Sequence, residues 1–284
     1  MTIRRSPTVR HRRLMAELKR LREASGLSRD EVGERLGAAG TTVFRYEKGT
    51  SRPKPSDVAM LLEVYGVTGE EREALIQLAK EARQRGWWHR HRKALKPGFD
   101  VYIGLEPEAS VIRSYQAQLV PGILQTEGYA REVTRAISMN EGLGDLDRKV
   151  EVRMKRQELI TGTDPVQLSA ILDEAVLGRQ VGGPAVMGEQ LRKLAELSEL
   201  PNVTLQVLPF GGGAHPAMDG PFYLLEFPEP LPDVVYLEQA TSGLALEDDA
   251  EVRHYTMMYG NLAARALDPE ASVSLIAGLA RDQH

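Results

Sequence analysis

Glycine and proline punctuate the first 66 residues so closely that little except a cluster of short helices fits between them. Leu14, Leu18 and Leu21 recur at i, i+4 and i+7 among charged residues, which predicts an amphipathic helix from about His11 to a stop near Gly26. Ser28-Arg-Asp-Glu31 has the form of a capping box and opens a second helix that runs to about Leu36. A tight turn, Gly37-Ala-Ala-Gly40, leads into a third helix over Thr41–Lys48, with Val43 and Tyr46 facing inward. Pro53 and Pro55 prevent its continuation, and a fourth helix from about Ser56 to Tyr65 ends at Gly66. Thr68-Gly-Glu-Glu71 is read as a second capping box, starting a fifth helix that reaches about Arg85.

Charge divides the chain at about the same place. Residues 1–96 carry 22 Lys and Arg against 12 Asp and Glu, a balance of +10, whereas residues 97–284 carry 14 against 28, a balance of -14. The net charge of -4 therefore conceals a basic region suited to a polyanion and an acidic region that a polyanion would repel. Cysteine is absent, which excludes disulfides, thiol nucleophiles and thiolate-based metal sites. The first ten residues hold no apolar run of signal-peptide length, and the longest uncharged run, Leu200–Met218, is broken by three prolines and a triple glycine. A cytoplasmic protein without a membrane segment is expected.

The run from Leu27-Ser-Arg-Asp-Glu-Val-Gly33 through Val43-Phe-Arg-Tyr-Glu-Lys-Gly49 to Pro53 resembles the lambda-repressor-like helix-turn-helix of the xenobiotic-response-element class. The resemblance implies that the third helix enters the major groove of double-stranded DNA. Thr41, Thr42 and Arg45 then become the base readers, since Thr offers a hydroxyl and a methyl and Arg can grip guanine with both arms. Ser28, Arg29, Lys48, Arg52 and Lys54 fall where phosphates pass. In the competing reading Thr41 and Thr42 merely start a helix, and Arg45 pairs with Glu47 or Glu63. Phe44 replaces a more usual small polar residue, and Gly40 is expected to loosen the start of the third helix. Residues 1–10, with Arg4, Arg5 and Arg10, are read as a basic arm that continues through Arg12 and Arg13 toward a minor groove or into solvent.

Residues 86–99 are read as a connector. Trp87 and Trp88 stand side by side among basic residues and are expected to anchor one domain on the next. His89 and His91 lack the carboxylate or thiolate partners of a metal site, and no metal or cofactor is expected.

Residues 100–284 are read as a mixed α/β (α+β) domain around one sheet. Strands are expected at Ala109–Tyr115, Val166–Leu172, Val203–Leu208, Phe222–Phe227, Val234–Leu237 and Leu244–Leu246. Helices are expected at Glu127–Ile137, Leu146–Ile160, Pro184–Leu197, Asp248–Leu267 and Pro269–Leu279. The region has no Gly-x-Ser-x-Gly elbow, no His-Glu-x-x-His and no phosphate loop. Its most enzyme-like feature is the glycine-rich loop holding His215 and Asp219, read as a pocket or partner loop. An enzyme would need a third polar group beside His215. His254 is read as a half-buried packing residue.

Trp87-Trp88, Tyr102-Ile-Gly-Leu-Glu-Pro-Glu-Ala109, Val120-Pro-Gly-Ile-Leu-Gln-Thr-Glu-Gly-Tyr-Ala-Arg131, Arg156-Gln157, His215-Pro-Ala-Met-Asp-Gly-Pro-Phe222 and Val235-Tyr-Leu-Glu238 together resemble the actinobacterial WhiJ-like regulators. That resemblance implies a non-enzymatic, sequence-specific transcriptional regulator whose C-terminal domain dimerises or senses a ligand, often beside a small partner protein in an antitoxin-like arrangement. A homodimer is expected because one short helix contacts few bases. The dimer seam is left open between Leu146–Ile160 and the last two helices. The alternative is an antitoxin-like module that binds a small partner protein and uses DNA binding for autoregulation.

Overall fold

The structure is a computed structural model that describes residues 7–84, 86–138, 143–229 and 231–283. It divides into two compact units, and the division falls between Trp87 and Trp88. Trp88 is buried within the second unit, at the start of a 3-10 turn, Trp87–Ala94.

The first unit consists of α1 (Pro7–Ala24), α2 (Arg29–Arg35), α3 (Gly40–Glu47), α4 (Pro55–Val64) and α5 (Gly69–Ala82). Leu14, Leu18, Val32, Val43, Val58, Leu61 and Leu62, each at most 1% exposed, form its core. The heptad-like leucines of α1 and the apolar positions of α4 meet there because each helix has only one apolar stripe to bury.

Two expectations are corrected in this unit. α1 starts at Pro7, so the basic arm is not an arm from that residue onward, while Arg4 and Arg5 lie outside the described residues. Proline is favourable in a first helical turn and Val9 is buried, so the amphipathic pattern extends further back than the leucines suggest. Arg10 and Arg12 are buried, and Arg10 bridges to Glu81 at 3.3 Å, tying α1 to α5. Thr68 makes no capping hydrogen bond, because Gly69 takes φ +64° rather than the helical geometry that a capping box needs.

The second unit is built on a six-stranded sheet in the order β3-β2-β1-β4-β5-β6, with β1 at Val111–Gln116, β2 at Gln167–Asp173, β3 at Val203–Leu208, β4 at Phe222–Glu226, β5 at Val234–Glu238 and β6 at Gly243–Leu246. β1, β2 and β3 run parallel, joined by helical crossovers, and β1, β4, β5 and β6 are successively antiparallel. The helices are α6 (Phe99–Leu105), α7 (Glu127–Ile137), α8 (Leu143–Arg156), α9 (Glu158–Thr161), α10 (Glu174–Gly178), α11 (Gly183–Ser198), α12 (Asp249–Arg265) and α13 (Pro269–Arg281). The single helix expected over Leu146–Ile160 is two, α8 and α9. α12 covers one face of the sheet, where Tyr115, Phe222, Leu224 and Val235 meet Tyr259 and Leu262. On that helix His254 is exposed, not half-buried, because it points off the covered face.

The opposite side of this domain holds a buried ion pair. Arg156 at the end of α8 donates Nε to Glu106 Oε2 at 2.7 Å and Nη2 to Oε1 at 2.6 Å, with side-chain exposures of 3% and 0%. The guanidinium also lies over the Tyr102 and Phe99 rings at 5.2 and 5.4 Å, and Tyr102 stacks on Tyr236 at 4.5 Å. Removing one partner strands the other charge away from water. Arg156→Ala is therefore expected to destabilise the C-terminal domain by about 3–5 kcal/mol in chemical denaturation, more than the Arg156→Met, Glu106→Met pair replaced together.

Candidate nucleic-acid interface

The second and third helices of the first unit meet at an angle fixed by two glycines. A Cβ on Gly33 would lie 2.7 Å from the Gly40 amide nitrogen and 2.8 Å from the Ala38 carbonyl oxygen, and a Cβ on Gly40 would lie 2.0 Å from Asp30 Oδ1. Gly40 therefore does not loosen α3; it lets the start of α3 pack against α2 with no side chain between them. Ser28 caps α2 as expected: its hydroxyl accepts from the Glu31 amide at 3.2 Å, while its amide donates to Glu31 Oε2 at 2.8 Å. Both donors of Ser28, the amide and the hydroxyl, are used on Glu31.

The end of α3 is held by Glu47, whose side chain is 2% exposed. Its Oε1 accepts from Arg22 Nε of α1 at 2.5 Å and its Oε2 from Arg29 Nε of α2 at 2.7 Å. Arg22 Nη1 also donates to the Leu27 carbonyl at 3.0 Å, closing the loop between α1 and α2. Tyr46, one residue earlier, donates to Asp57 Oδ2 at 2.9 Å, and the same carboxylate oxygen accepts from the Lys54 amide at 3.0 Å. One carboxylate thus joins three helices and a second ties α3 to α4.

This anchoring leaves the outer face of α3 turned to solvent. Thr41, Arg45 and Lys48 are exposed and Thr42 is half-buried. Arg45 does not pair with Glu47, which is occupied by Arg22 and Arg29, and among the described residues it forms no ion pair with Glu63. Arg29 is partly committed: beyond Glu47, its guanidinium lies over the exposed Phe44 ring at 5.4 Å. Arg52 is exposed and donates to the Ala82 carbonyl at 3.3 Å, and Lys54 is exposed at the start of α4. The arrangement supplies a rigid helix with hydroxyl and guanidinium groups outward and cations on both sides, the equipment for reading base edges between phosphates.

The C-terminal candidates behave differently. His215 Nε2 lies 3.3 Å from the Tyr115 hydroxyl and 4.0 Å from Asp173 Oδ2, and the Tyr115 hydroxyl donates to Asp173 at 3.3 Å. Burial, and then the Asp173 charge, raise the Tyr115 pKa and keep that hydroxyl protonated. Asp219 is exposed and forms no bond to His215 among the described residues. The sequence pairing of His215 with Asp219 is replaced by a Tyr115–Asp173–His215 cluster, which places beside His215 the further polar groups that an enzyme would need and joins the glycine-rich loop to the sheet. Those partners sit a hundred and 42 positions away in the chain, which no local motif announces.

Two outcomes test the helix-turn-helix geometry. Glu47→Ala is expected to cost about 3–5 kcal/mol of stability, since it leaves the buried Arg22 without its carboxylate. His11, buried between α1 and the Gly49 carbonyl, has its pKa lowered from 6.5 to about 4 by burial and then by Arg52. Its neutral form is thereby favoured in the fold, so stability present above pH 6.5 is lost as pH falls toward 4. Unfolding free energies from chemical denaturation at pH 7 and 4.5 should differ by about 2–3 kcal/mol through this group, and His11→Gln should flatten that part of the profile.

A helix-turn-helix domain model matches residues 13–75, in agreement with this geometry and with DNA as the partner. A model described as a domain of unknown function (DUF5753) matches residues 99–278. No curated protein matches the chain. No solved structure matches it either. Among the described residues no helix is long and apolar enough to cross a membrane. With its C-terminal match spanning more than half of its length behind a DNA-binding domain, the chain belongs to the DUF5753 family.

Proposed function

We propose that the protein is a sequence-specific regulator of transcription that binds double-stranded DNA as a homodimer in the cytoplasm, of the WhiJ-like kind with a xenobiotic-response-element type of helix-turn-helix. The observation that carries this reading is the combination of a recognition helix locked from behind by Glu47 and an outward face that keeps Thr41 and Arg45 exposed. A rigid helix presents donors to base edges without an ordering cost at binding. Thr41, Thr42 and Arg45 read bases, and Lys48, Arg52 and Lys54 contact phosphates. Arg29 adds its terminal nitrogens to the phosphate set while Nε stays on Glu47. Ser28, whose own donors are used on Glu31, takes part only through the helix start that it caps.

The paired tryptophans sit at the junction of the two units, and the acidic C-terminal domain supplies the dimer contact or receives a signal. An antitoxin-like role, with a small partner protein held on that domain, is favoured by one observation: Phe210, Met218 and Met257 expose 65%, 70% and 69% of their surface.

Selection from a random duplex pool at about 0.15 M salt, where weak electrostatic binding is suppressed, is expected to enrich an inverted repeat. Lys54→Ala should weaken binding to all sequences alike and lower the salt slope by about one unit, whereas Arg45→Ala should cost about 1–3 kcal/mol and relax the preference at one base pair per half-site. Equal effects of both changes on every sequence would overturn the assignment of roles.

A further inference from the structure

We propose that the C-terminal domain binds a small organic carboxylate with an apolar body in the recess between the start of α6, the end of α7 and the middle of α8. The recess has a volume of about 440 Å³ including its open mouth. It is deep enough for a headgroup of a few atoms, with the remainder of the molecule lying along the mouth.

Its walls divide by chemistry. Phe99, Leu95, Ala94 and Ile137 make an apolar side, with Ile137 44% exposed at the surface. Lys96, Lys149 and Arg153 line the other side together with Glu238, the carboxylate among the described lining residues. Glu238 is already engaged by Lys96 at 3.1 Å. Arg153 donates to the neutral amide oxygen of Gln125 at 2.7 Å, and burial works against its charge and lowers its pKa. Hydroxyl groups complete the lining: Ser138 accepts from Lys149 at 3.2 Å, and Thr134, 2% exposed, has a buried Oγ1 with no hydrogen-bond partner. Threonine on a helix ordinarily bonds back to a carbonyl one turn earlier, and a buried hydroxyl left unpaired is costly. A ligand oxygen would satisfy Thr134 and add a negative charge beside Arg153, whose hydrogen bond goes to a neutral amide and which shares the Glu238 carboxylate with Lys96. An anion suits this site, and a single carboxylate suits its narrow depth.

The proposal deepens the sensing role of the same domain and rests on that role only for its consequence, because binding is measured without DNA. The probe is hexanoate, titrated into the full-length protein and followed by calorimetry and amide chemical shifts, with hexanol and inorganic phosphate as comparisons. Hexanoate is expected to bind saturably with a Kd below about 1 mM, equivalent to roughly 4 kcal/mol, while hexanol does not. Thr134→Val should keep the melting temperature at or above that of the unaltered protein and weaken hexanoate about tenfold, a split that a purely structural hydroxyl would not give. Ile137→Asp, at the exposed mouth, should weaken it as well by repelling the carboxylate. Absence of saturable binding, or equal affinity in Thr134→Val, overturns the site. Phosphate binding more tightly than hexanoate overturns the assignment to carboxylates. A protein that binds hexanoate with no change in its affinity for the selected DNA would retain the site and lose the sensing role.

Discussion

A carboxylate removed from water has to meet a cation, and each half of this protein is arranged around one such meeting. In the helical domain Glu47 draws Arg22 and Arg29 together and so fixes α3 against α1 and α2. In the sheet domain Glu106 takes both arms of Arg156 and positions the end of α8 above the aromatic stack of Tyr102 and Tyr236. Neither pair is an efficient source of stability, since desolvating two charges offsets much of their attraction. What they supply is geometry. An apolar contact between α1, α2 and α3 could slide by a fraction of a turn, whereas a carboxylate shared by two guanidinium groups has few acceptable positions.

That distinction decides what the outer face of α3 can do. Because Arg22 of α1 and Arg29 of α2 occupy Glu47, that carboxylate does not draw Arg45 inward, and Arg45 is exposed without an ion pair among the described residues. The two glycines complete the constraint from the other end: with Gly33 and Gly40 in near contact, α3 begins where its backbone meets α2, and Thr41 is carried to the surface. The exposed face of α3 is thus a consequence of what is buried behind it.

Much of this was legible in the sequence, and the reasons differ by element. The helices of the first domain follow from leucine spacing and from glycine and proline stops, and the capping box at Ser28 is a local signal with a local cause. The six strands are each within two residues of their expected ends because short, apolar, β-branched runs between turn residues have few other outcomes. Local signals failed where a distant partner decided. Gly40 reads as a weak helix start until Asp30 is placed against it, and the Thr68 box fails through the conformation of a single glycine. Arg29 reads as a free cation until Glu47, 18 positions on, is found beside it. Glu106 and Arg156 lie in motifs that drew attention by resemblance, yet their pairing across 50 positions is a property of the fold alone.

The same logic bears on how two copies would associate. One edge of the sheet is blunted, because Val207 of β3 accepts from the Leu267 amide and donates to the Ser272 hydroxyl, both at 2.8–2.9 Å. The other edge, β6, is only four residues long, and its first amide, on Gly243, is taken by the Pro97 carbonyl at 2.8 Å. Edges managed in this way disfavour extension of the sheet from one chain into another. In the proposed function α3, with eight residues, would reach few base pairs, and a second copy would supply the missing specificity. The proposed dimer is then to be sought on helix faces and on the loop that exposes Phe210 and Met218, where apolar surface faces solvent and no backbone ladder needs completing.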